Sequence, residues 1–170
     1  MKDKILIAYF EQKNHQNSKC RRVADDISTA LFEKEYTCTE FSITPVESYP
    51  VDNREEFDRI VHDEIENDAR PSVLGGPGAF YQYHVVVLVI PNWFDNAPMA
   101  VYSFLDMHDF ADKVVIPVVC HSGDGGEAIR ESIRLYMPMA DVLTGADVVS
   151  DADDSHIVDG VAAQVLTRVR

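Results

Sequence analysis

Residues 85–90, VVVLVI, form an unbroken aliphatic run in which most side chains are β-branched. Such a run is typical of a central strand in a parallel sheet, where both faces are covered by helices. Pro91 ends the strand because proline has no backbone N–H to donate, and Pro98 is placed to open a helix. Trp93, the only tryptophan of the chain, lies between them. The sequence therefore predicts an aromatic ring at the carboxyl end of its most buried strand, where ligands bind in open parallel sheets.

Strands and helices alternate along the rest of the chain. The other predicted strands are residues 5–10, 36–41, 114–120 and 142–149, the last with an irregularity at Gly145. Apolar residues at helical spacing predict a helix capped by Asn17 or Ser18 that ends near Phe32, an extra helix from Asn53, one from Pro98 to Phe110, one from Glu127, and one capped by Ser155. Pro117 predicts a bulge or an unpaired side in its strand. Five strands alternating with helices predict an α/β fold, a three-layer doubly wound parallel sheet in a single domain over residues 1–170.

The chain carries a large negative charge. Fifteen Lys and Arg against 29 Asp and Glu give a formal net charge of −14. This charge repels nucleic acid and anionic membranes, so we expect neither as a partner. The surplus is explained either by solubility alone or by attraction of protein partners with basic surfaces, at a salt-dependent rate.

Two further features bear on location and redox state. No apolar run approaches the roughly 20 residues needed to span a bilayer, and the N-terminal residues carry no secretory signal, so a cytoplasmic location is expected. Cys20, Cys38 and Cys120 lack CxxC spacing, so neither a disulfide framework nor a zinc site is expected. Cys20 falls in the first turn of a helix, which can lower a thiol pKa, but a small core-facing residue is the commoner outcome.

Three loops should meet at one edge of the predicted sheet, after Phe10, Ile90 and Cys120. In the second loop, Trp93 offers a large flat face, and backbone groups of residues 92–95 can meet the polar edge of a ring ligand. In the third loop, HSGDGG at residues 121–126, glycines allow close backbone approach. Alternatively, Trp93 and its neighbour Phe94 cap the core or form a dimer contact.

The sequences YFE at 9–11, IPNWFDNAPMAV at 90–101 and CHSGDGGEAI at 120–129 resemble the three flavin-contacting loops of the flavodoxin family, in particular its short flavodoxin-like members. ENDARP at 66–71 is similar to a stretch that these proteins carry before the central strand. The resemblance implies the strand order 2-1-3-4-5 and FMN as the cofactor. The cofactor site that it implies comprises Asn17, Ser18, Pro91, Asn92, Trp93, Phe94, His121, Ser122, Gly123 and Gly126.

The first loop departs from the family pattern. Members place a serine after YF and then a Gly-Asn-Thr that cradles the phosphate, whereas Glu11 occupies the serine position here and no glycine precedes Gly75. Either residues 17–18 or residues 19–20 take the place of Asn-Thr. We expect Glu11 to point away from the phosphate or to be balanced by a nearby cation: Lys13, Lys19 or Arg21.

The resemblance implies an FMN-binding protein that carries electrons between partners or reduces a small acceptor such as a quinone. The resemblance does not decide between a carrier and an enzyme, and the oligomeric state, monomer or homodimer, also stays open. The alternative is a flavodoxin-like scaffold that has lost FMN and acts as a binding or regulatory module.

Other residue patterns give weaker evidence for a function. His121, Ser122 and Asp124 are the residue types of a hydrolase triad, but adjacent side chains diverge. Pro91 and Asn92 stand where a phosphate-receiver domain needs an aspartate. Asp151, Asp153 and Asp154 resemble part of a calcium loop but lack its glycine and final glutamate, so a solvated turn is expected.

Overall fold

The structure is a computed structural model that describes residues 3–15, 18–149 and 153–170. Within these ranges one parallel sheet is formed by the strands β1 (Lys4–Phe10), β2 (Cys38–Ile43), β3 (Tyr83–Pro91), β4 (Val114–His121), β5 (Asp141–Val142) and β6 (Ala146–Val149). The helices are α1 (Lys19–Phe32), α2 (Arg54–Glu66), α3 (Met99–Asp106), α4 (Gly126–Tyr136) and α5 (Ser155–Leu166). A short 3-10 turn, Phe80–Gln82, precedes β3 and was not predicted.

The strand order is β2-β1-β3-β4-β5, with β6 also paired to β4, and every pairing is parallel. This confirms the predicted order and the doubly wound α/β fold. β1 pairs with β2 on one side and β3 on the other, so the chain reverses its direction of progress at the β1–β3 junction. The carboxyl ends of β1 and β3 leave a crevice at this junction.

The fifth position of the sheet is divided between β5 and β6. β4 pairs with β5 at Val114 and Val115 and with β6 only from Val118 onward, so Pro117 lies opposite the break. The unpaired side predicted at this proline is therefore confirmed. Gly145 makes the break possible, because it has φ +68° and a Cβ there would lie 1.8 Å from the Pro117 carbonyl oxygen. The Gln164 side chain bonds both backbone groups of Gly145, at 2.9 Å each.

Helices cover both faces of the sheet. Alternate residues of β1 and β3, such as Ile7 and Val87, pack against α1 and α5, whereas Leu6 and Val86 face α3 and α4. All four side chains are fully buried, which explains why these strands read as continuous apolar runs. In chain order α2 lies between β2 and β3, as predicted for the extra helix.

Some predicted boundaries were wrong. β2 starts at Cys38 rather than residue 36, because Glu35 adopts φ +65° and the Tyr36 N–H still bonds the Leu31 carbonyl at the end of α1. α3 ends at Asp106 rather than Phe110, which turns inward and is 6% exposed. The N-cap Ser18 is confirmed. The extra helix starts at Arg54, one residue after the predicted Asn53, which is its N-cap.

The last helix also starts differently from the prediction. Ser155 is its first residue and Asp154 its N-cap, because the Asp154 carbonyl accepts the first helical hydrogen bond, from the Val158 N–H at 2.9 Å. The alternative cap of α1, Asn17, lies outside the described residues. Among the residues that the structure describes, no helix combines the length and apolar character needed to cross a membrane.

Candidate functional site

A cavity of about 260 Å³ opens where β1, β3 and β4 end. It is lined by Phe10, Glu11, Gln12, His15, Ser18, Lys19, Cys20, Phe57, Pro91, Trp93 and Cys120. The three strand ends and the start of α1 thus meet at one edge of the sheet. The predicted convergence of the loops is realised here.

The predicted site residues divide into two groups. Ser18, Pro91 and Trp93 line the cavity. The others that the structure describes lie in the second and third loops and do not belong to its lining: Asn92, Phe94, His121, Ser122, Gly123 and Gly126. Asn17 falls outside the described residues. The roles assigned to these residues stay predictions.

Trp93 is half-buried and packs against three other aromatic rings. The ring centroids of Phe10 and Tyr49 lie 5.0 Å from that of Trp93, and the Phe57 centroid lies 4.9 Å away. All three pairs are edge-to-face, with interplanar angles of 78–81°. Such contacts add about 0.5–1.5 kcal/mol each beyond the burial of area. The indole therefore rests against the core and also forms part of the cavity wall, so its orientation is fixed.

The second loop is a tight turn held by its own hydrogen bonds. The Trp93 N–H donates to the Asn96 carbonyl at 2.8 Å, and the Asn96 N–H donates back at 3.2 Å. Phe94 and Asp95 between them have φ +55° and +59°, as a type I′ turn requires. Asn92 accepts a hydrogen bond from the Asp95 N–H at 2.8 Å. A left-handed conformation at a phenylalanine is uncommon and marks this loop as locally strained.

Helix α2 contributes to the site, which the sequence did not predict. Phe57 lines the cavity, and the His62 ring lies 4.2 Å from the exposed Phe94 ring. The Arg54 guanidinium lies 5.8 Å from the Phe57 ring and 5.9 Å from that of Phe94. Helix α2 therefore lies beside the second loop, with Phe57 in the cavity wall and Arg54 and His62 next to Phe94.

The second and third loops are tied together. The Asn92 side-chain amide donates to the Asp124 carbonyl at 3.1 Å. Gly125 has φ +96°, and a Cβ on it would lie 2.9 Å from the Asn92 amide nitrogen. A Cβ on the next residue, Gly126, would lie only 2.1 Å from the Asp147 carboxylate. Gly125 and Gly126 therefore permit close packing within the protein, whereas Gly123 has open space around it. The close approach of this loop to a ligand stays a prediction.

His121 is buried beneath the third loop. Its side chain is 6% exposed, its Nδ1 accepts a hydrogen bond from the Gly123 N–H at 3.2 Å, and its Nε2 lies 4.0 Å from the Asp147 carboxylate. Arg130 binds both oxygens of the same carboxylate, at 3.1 and 3.2 Å. The carboxylate of Asp147 on β6 thus lies near His121, and a hydrolase triad with Asp124 is not among the described contacts.

Glu11 is buried, and Arg21 is its balancing cation. The Glu11 residue is 7% exposed, and the Arg21 guanidinium lies 3.2 Å from its carboxylate. The other two cations that the sequence offered are engaged elsewhere. Lys13 donates to the Val46 carbonyl at 2.9 Å, and Lys19 lies 2.5 Å from the Asp154 carboxylate.

The N-terminus of α1 faces the cavity. Ser18 caps the helix by accepting from the Arg21 N–H at 3.3 Å, and Ser18, Lys19 and Cys20 all line the cavity. The first N–H groups of an α-helix have no acceptor within the helix and carry a partial positive charge, so this end is suited to an anion. Of the two placements left open by the sequence, residues 19–20 form the first turn and Ser18 is the cap.

The structure also describes the cysteines and most of the acidic residues considered above. No group of three His, Cys, Asp or Glu suited to a metal ion occurs in the described part of the chain. Asp154 pairs with Lys19, while Asp151 lies outside the described residues. A lowered pKa for Cys20 is wrong, because contact with the Cys120 thiol and burial raise the Cys20 pKa well above its usual value. The core-facing outcome for Cys20 is the observed one.

The flavodoxin family model, described as Flavodoxin, matches residues 4–160. The chain belongs to the flavodoxin family. A search of curated proteins found no match. The fold is shared with a candidate flavoprotein from Bacteroides eggerthii DSM 20697, at 19% identity over 97% of both chains and a TM-score of 0.73. It is also shared with a flavoprotein in complex with FMN from Lactobacillus acidophilus NCFM, at 16% identity over 91% of this chain and 96% of the other, with a TM-score of 0.71.

Oxidised Flavodoxin 1 from Bacillus cereus shows the same fold, at 16% identity over 97% of this chain and 98% of the other, with a TM-score of 0.63. Family membership supports FMN as the cofactor, and the residues of this flavodoxin fit it. An anion site at the start of α1 and the Trp93 ring line one cavity. A phosphate and a flat ring are the two parts of FMN that such a cavity must hold.

Proposed function

We propose that this flavodoxin binds FMN in the cavity at the β1–β3 junction and passes electrons between redox partners or to a small acceptor such as a quinone. One observation carries the proposal: the N-terminus of α1 and the half-buried Trp93 ring line the same cavity at the switch point of the sheet. The complex of the Lactobacillus acidophilus flavoprotein with FMN adds support.

The phosphate end of the site is assigned to Ser18, Lys19 and Cys20. Their backbone N–H groups and the Ser18 hydroxyl are the donors, each contributing on the order of 1.5–3 kcal/mol to an anion. The nearby Glu11 carboxylate opposes the phosphate by roughly 1–4 kcal/mol at about 4 Å, depending on how wet the site is. Its pairing with Arg21 reduces this opposition. The donors therefore outweigh the carboxylate.

The ring end of the site is assigned to the second loop. Trp93 supplies a wall whose orientation three other rings fix, and Pro91 adds apolar surface beside it. The backbone of residues 92–95 is assigned to the polar edge of the flavin. The bond from Asn92 to Asp124 keeps the second and third loops together around this edge.

FMN supplies the redox chemistry when bound, and the residues of the chain bind and orient it and set its electrostatic surroundings. No side chain of the cavity is required as an acid or base. The net charge of −14 disfavours an added negative charge on the cofactor, which lowers the potential of the final reduction step. The same charge favours redox partners with basic surfaces.

The direct test is the visible spectrum of the protein purified with FMN supplied, together with quenching of FMN fluorescence on titration. We expect a yellow protein and quenching that saturates at one FMN per chain. A colourless protein that leaves FMN fluorescence unchanged contradicts the proposal. Ser103→Ala is a matched control for site variants, because Ser103 is buried in α3 and bonds only its own helix among the described contacts.

Steady-state oxidation of NAD(P)H with a quinone distinguishes an enzyme from an electron carrier. An enzyme turns over with these two substrates alone, whereas a carrier needs a separate reductase. For a carrier, the rate with that reductase should fall as salt increases, because the acidic surface steers a basic partner.

Glu11 also favours a second candidate, a scaffold that has lost FMN and serves as a binding or regulatory module. A buried carboxylate lines the phosphate end, and the first loop has no glycine to cradle a phosphate. This candidate is supported if the parent does not bind FMN and a variant with Glu11→Ser and a grafted Gly-Asn-Thr does. Tight FMN binding by the parent excludes it.

A further inference from the structure

A second cavity, of about 220 Å³, adjoins the first one. It is lined by Gln12, His15, Pro50, Val51, Arg54 and Phe57. Gln12, His15 and Phe57 also line the first cavity, so these three residues form a partition between the two. Phe57 is one of the rings that pack against Trp93, with 4.9 Å between the ring centroids. A ligand in the second cavity therefore lies next to the ring end of the proposed FMN site.

The partition is held in place by hydrogen bonds. The turn at residues 12–15 is closed by the His15 N–H, which donates to the Gln12 carbonyl at 3.2 Å. The Asn14 side chain donates to the Tyr49 carbonyl at 2.9 Å, and the two apolar residues that follow Tyr49 line the second cavity. The turn belongs to the first loop, whose sequence departs from the family pattern. This departure therefore helps to build the second cavity.

The lining of the second cavity combines apolar surface with positive charge. Pro50, Val51 and Phe57 supply the apolar surface, and Arg54 supplies the charge. The Arg54 guanidinium lies 5.8 Å from the Phe57 ring and 5.9 Å from the Phe94 ring. Among the described residues that line this cavity there is no carboxylate, although the chain has a net charge of −14. The cavity therefore suits a flat apolar ligand that carries a negative charge.

Arg54 can bind such a ligand because its own ion pair is weak. Its Nε lies 2.7 Å from the Asp58 carboxylate, and the two side chains are 78% and 36% exposed. An exposed pair at i,i+4 contributes little to stability, so a ligand competes with it easily. Arg59 forms the same kind of pair with Asp63 on the same helix but does not line the cavity. Arg59 is therefore a matched control for Arg54.

We propose that the second cavity binds an anionic aromatic acceptor, such as an ionised hydroxyquinone, with Arg54 at its negative oxygen and Phe57 beside its ring. The acceptor role rests on the proposed function. The acceptor takes up two electrons and two protons from the reduced flavin, so its two C=O groups become C–OH groups and the flavin returns to its oxidised form. A volume of about 220 Å³ is below the roughly 300–1,000 Å³ of pockets for drug-sized ligands, so we expect an acceptor of one or two rings.

The first test measures binding to the flavin-free protein by calorimetric titration. The probes are 2-hydroxy-1,4-naphthoquinone, an anion at neutral pH, and its methyl ether, which has nearly the same shape and no charge. Wild type should bind the anion about tenfold more tightly, because the hydrogen bond to Arg54 is charge-assisted only with the anion. Arg54→Gln should remove this difference, and Arg59→Gln should keep it. Equal affinities for the two probes in wild type, or equal effects of the two substitutions, would overturn the proposal.

The second test repeats the titration on protein loaded with FMN, to show that FMN and the acceptor occupy separate cavities. The anion should still bind at one site per chain, with little change in affinity. Loss of binding in the presence of FMN would place the probe in the first cavity and overturn the proposal.

The third test measures the acceptor role itself. The bound FMN is reduced without oxygen, and its reoxidation by the anion is followed by stopped-flow absorbance. Arg54→Gln should need an about tenfold higher quinone concentration for half the maximal rate, with the maximal rate unchanged. Identical curves for wild type and Arg54→Gln would refute the acceptor role. If the protein binds no FMN, the proposed function and the acceptor role both fail, whereas the first titration alone decides whether the cavity binds the anion.

Discussion

Arg21 balances the Glu11 carboxylate at the phosphate end of the cavity, so replacing it by glutamine leaves more negative charge there. Two unit charges about 4 Å apart interact by roughly 4 kcal/mol at the effective dielectric constant of a protein surface. The Arg21 side chain is 39% exposed, so solvent screening keeps its interaction with Glu11 well below this figure. Arg21→Gln should therefore lower the unfolding free energy only slightly.

The same change should weaken FMN binding by about tenfold, because the phosphate meets a less balanced carboxylate. Glu11→Gln should have the opposite effect and tighten FMN binding by at least about fivefold, since it removes roughly 1 kcal/mol or more of repulsion. Fluorescence titration with FMN measures both affinities, and urea unfolding of the flavin-free protein measures stability. The effects on affinity should shrink as salt is added.

Arg22→Gln is the matched control, because it removes the same charge one residue further along α1 from an exposed position. It should leave both affinity and stability close to those of wild type. If Arg21→Gln has the same FMN affinity and stability as this control, the ion pair between Arg21 and Glu11 does not affect phosphate binding. If Glu11→Gln weakens FMN binding, the carboxylate assists the cofactor and the electrostatic reasoning is refuted.

Two further predictions concern stability. Gly126→Ala places a Cβ 2.1 Å from the Asp147 carboxylate and should destabilise the protein by about 1–3 kcal/mol in urea unfolding. The control Gly160→Ala, at an exposed helical position with open space, should be neutral or stabilise the protein by up to about 1 kcal/mol. Equal stabilities of the two variants would contradict the close contact at Gly126. Burial lowers the pKa of His108, so the neutral form is favoured in the fold, and stability should fall as the pH drops below about 6.5 and through the folded pKa. His108→Phe should remove part of this fall between pH 7.5 and 5.5, the exposed His84→Gln should not, and parallel pH profiles for all three proteins would refute the assignment.

The sheet was predictable because its strands are buried on both faces. Residues 85–90 contain no polar side chain, which indicates a strand buried on both faces. Such a strand can be placed in the centre of the sheet without knowing which of its residues face which side. The break between β5 and β6 was indicated by Pro117 and Gly145, each of which imposes a backbone constraint visible in the sequence. Boundaries such as the start of β2 depend on hydrogen bonds that only the fold provides.

The site was predictable at its strand ends and less so elsewhere. Trp93 follows a buried strand, so local sequence placed it at the edge of the sheet. Tyr49 and Phe57, which pack around it, come from a loop and a helix whose positions depend on packing between distant segments.

The measurement that tests the central claim most directly compares FMN with riboflavin, which lacks the phosphate. If the N-terminus of α1 holds the phosphate, FMN should bind at least about 100-fold more tightly than riboflavin, because several charge-assisted hydrogen bonds outweigh the Glu11 repulsion. Ser18→Ala should narrow this difference without changing riboflavin affinity. Equal affinities for FMN and riboflavin, or binding of neither, would contradict the assignment of this cavity as an FMN site.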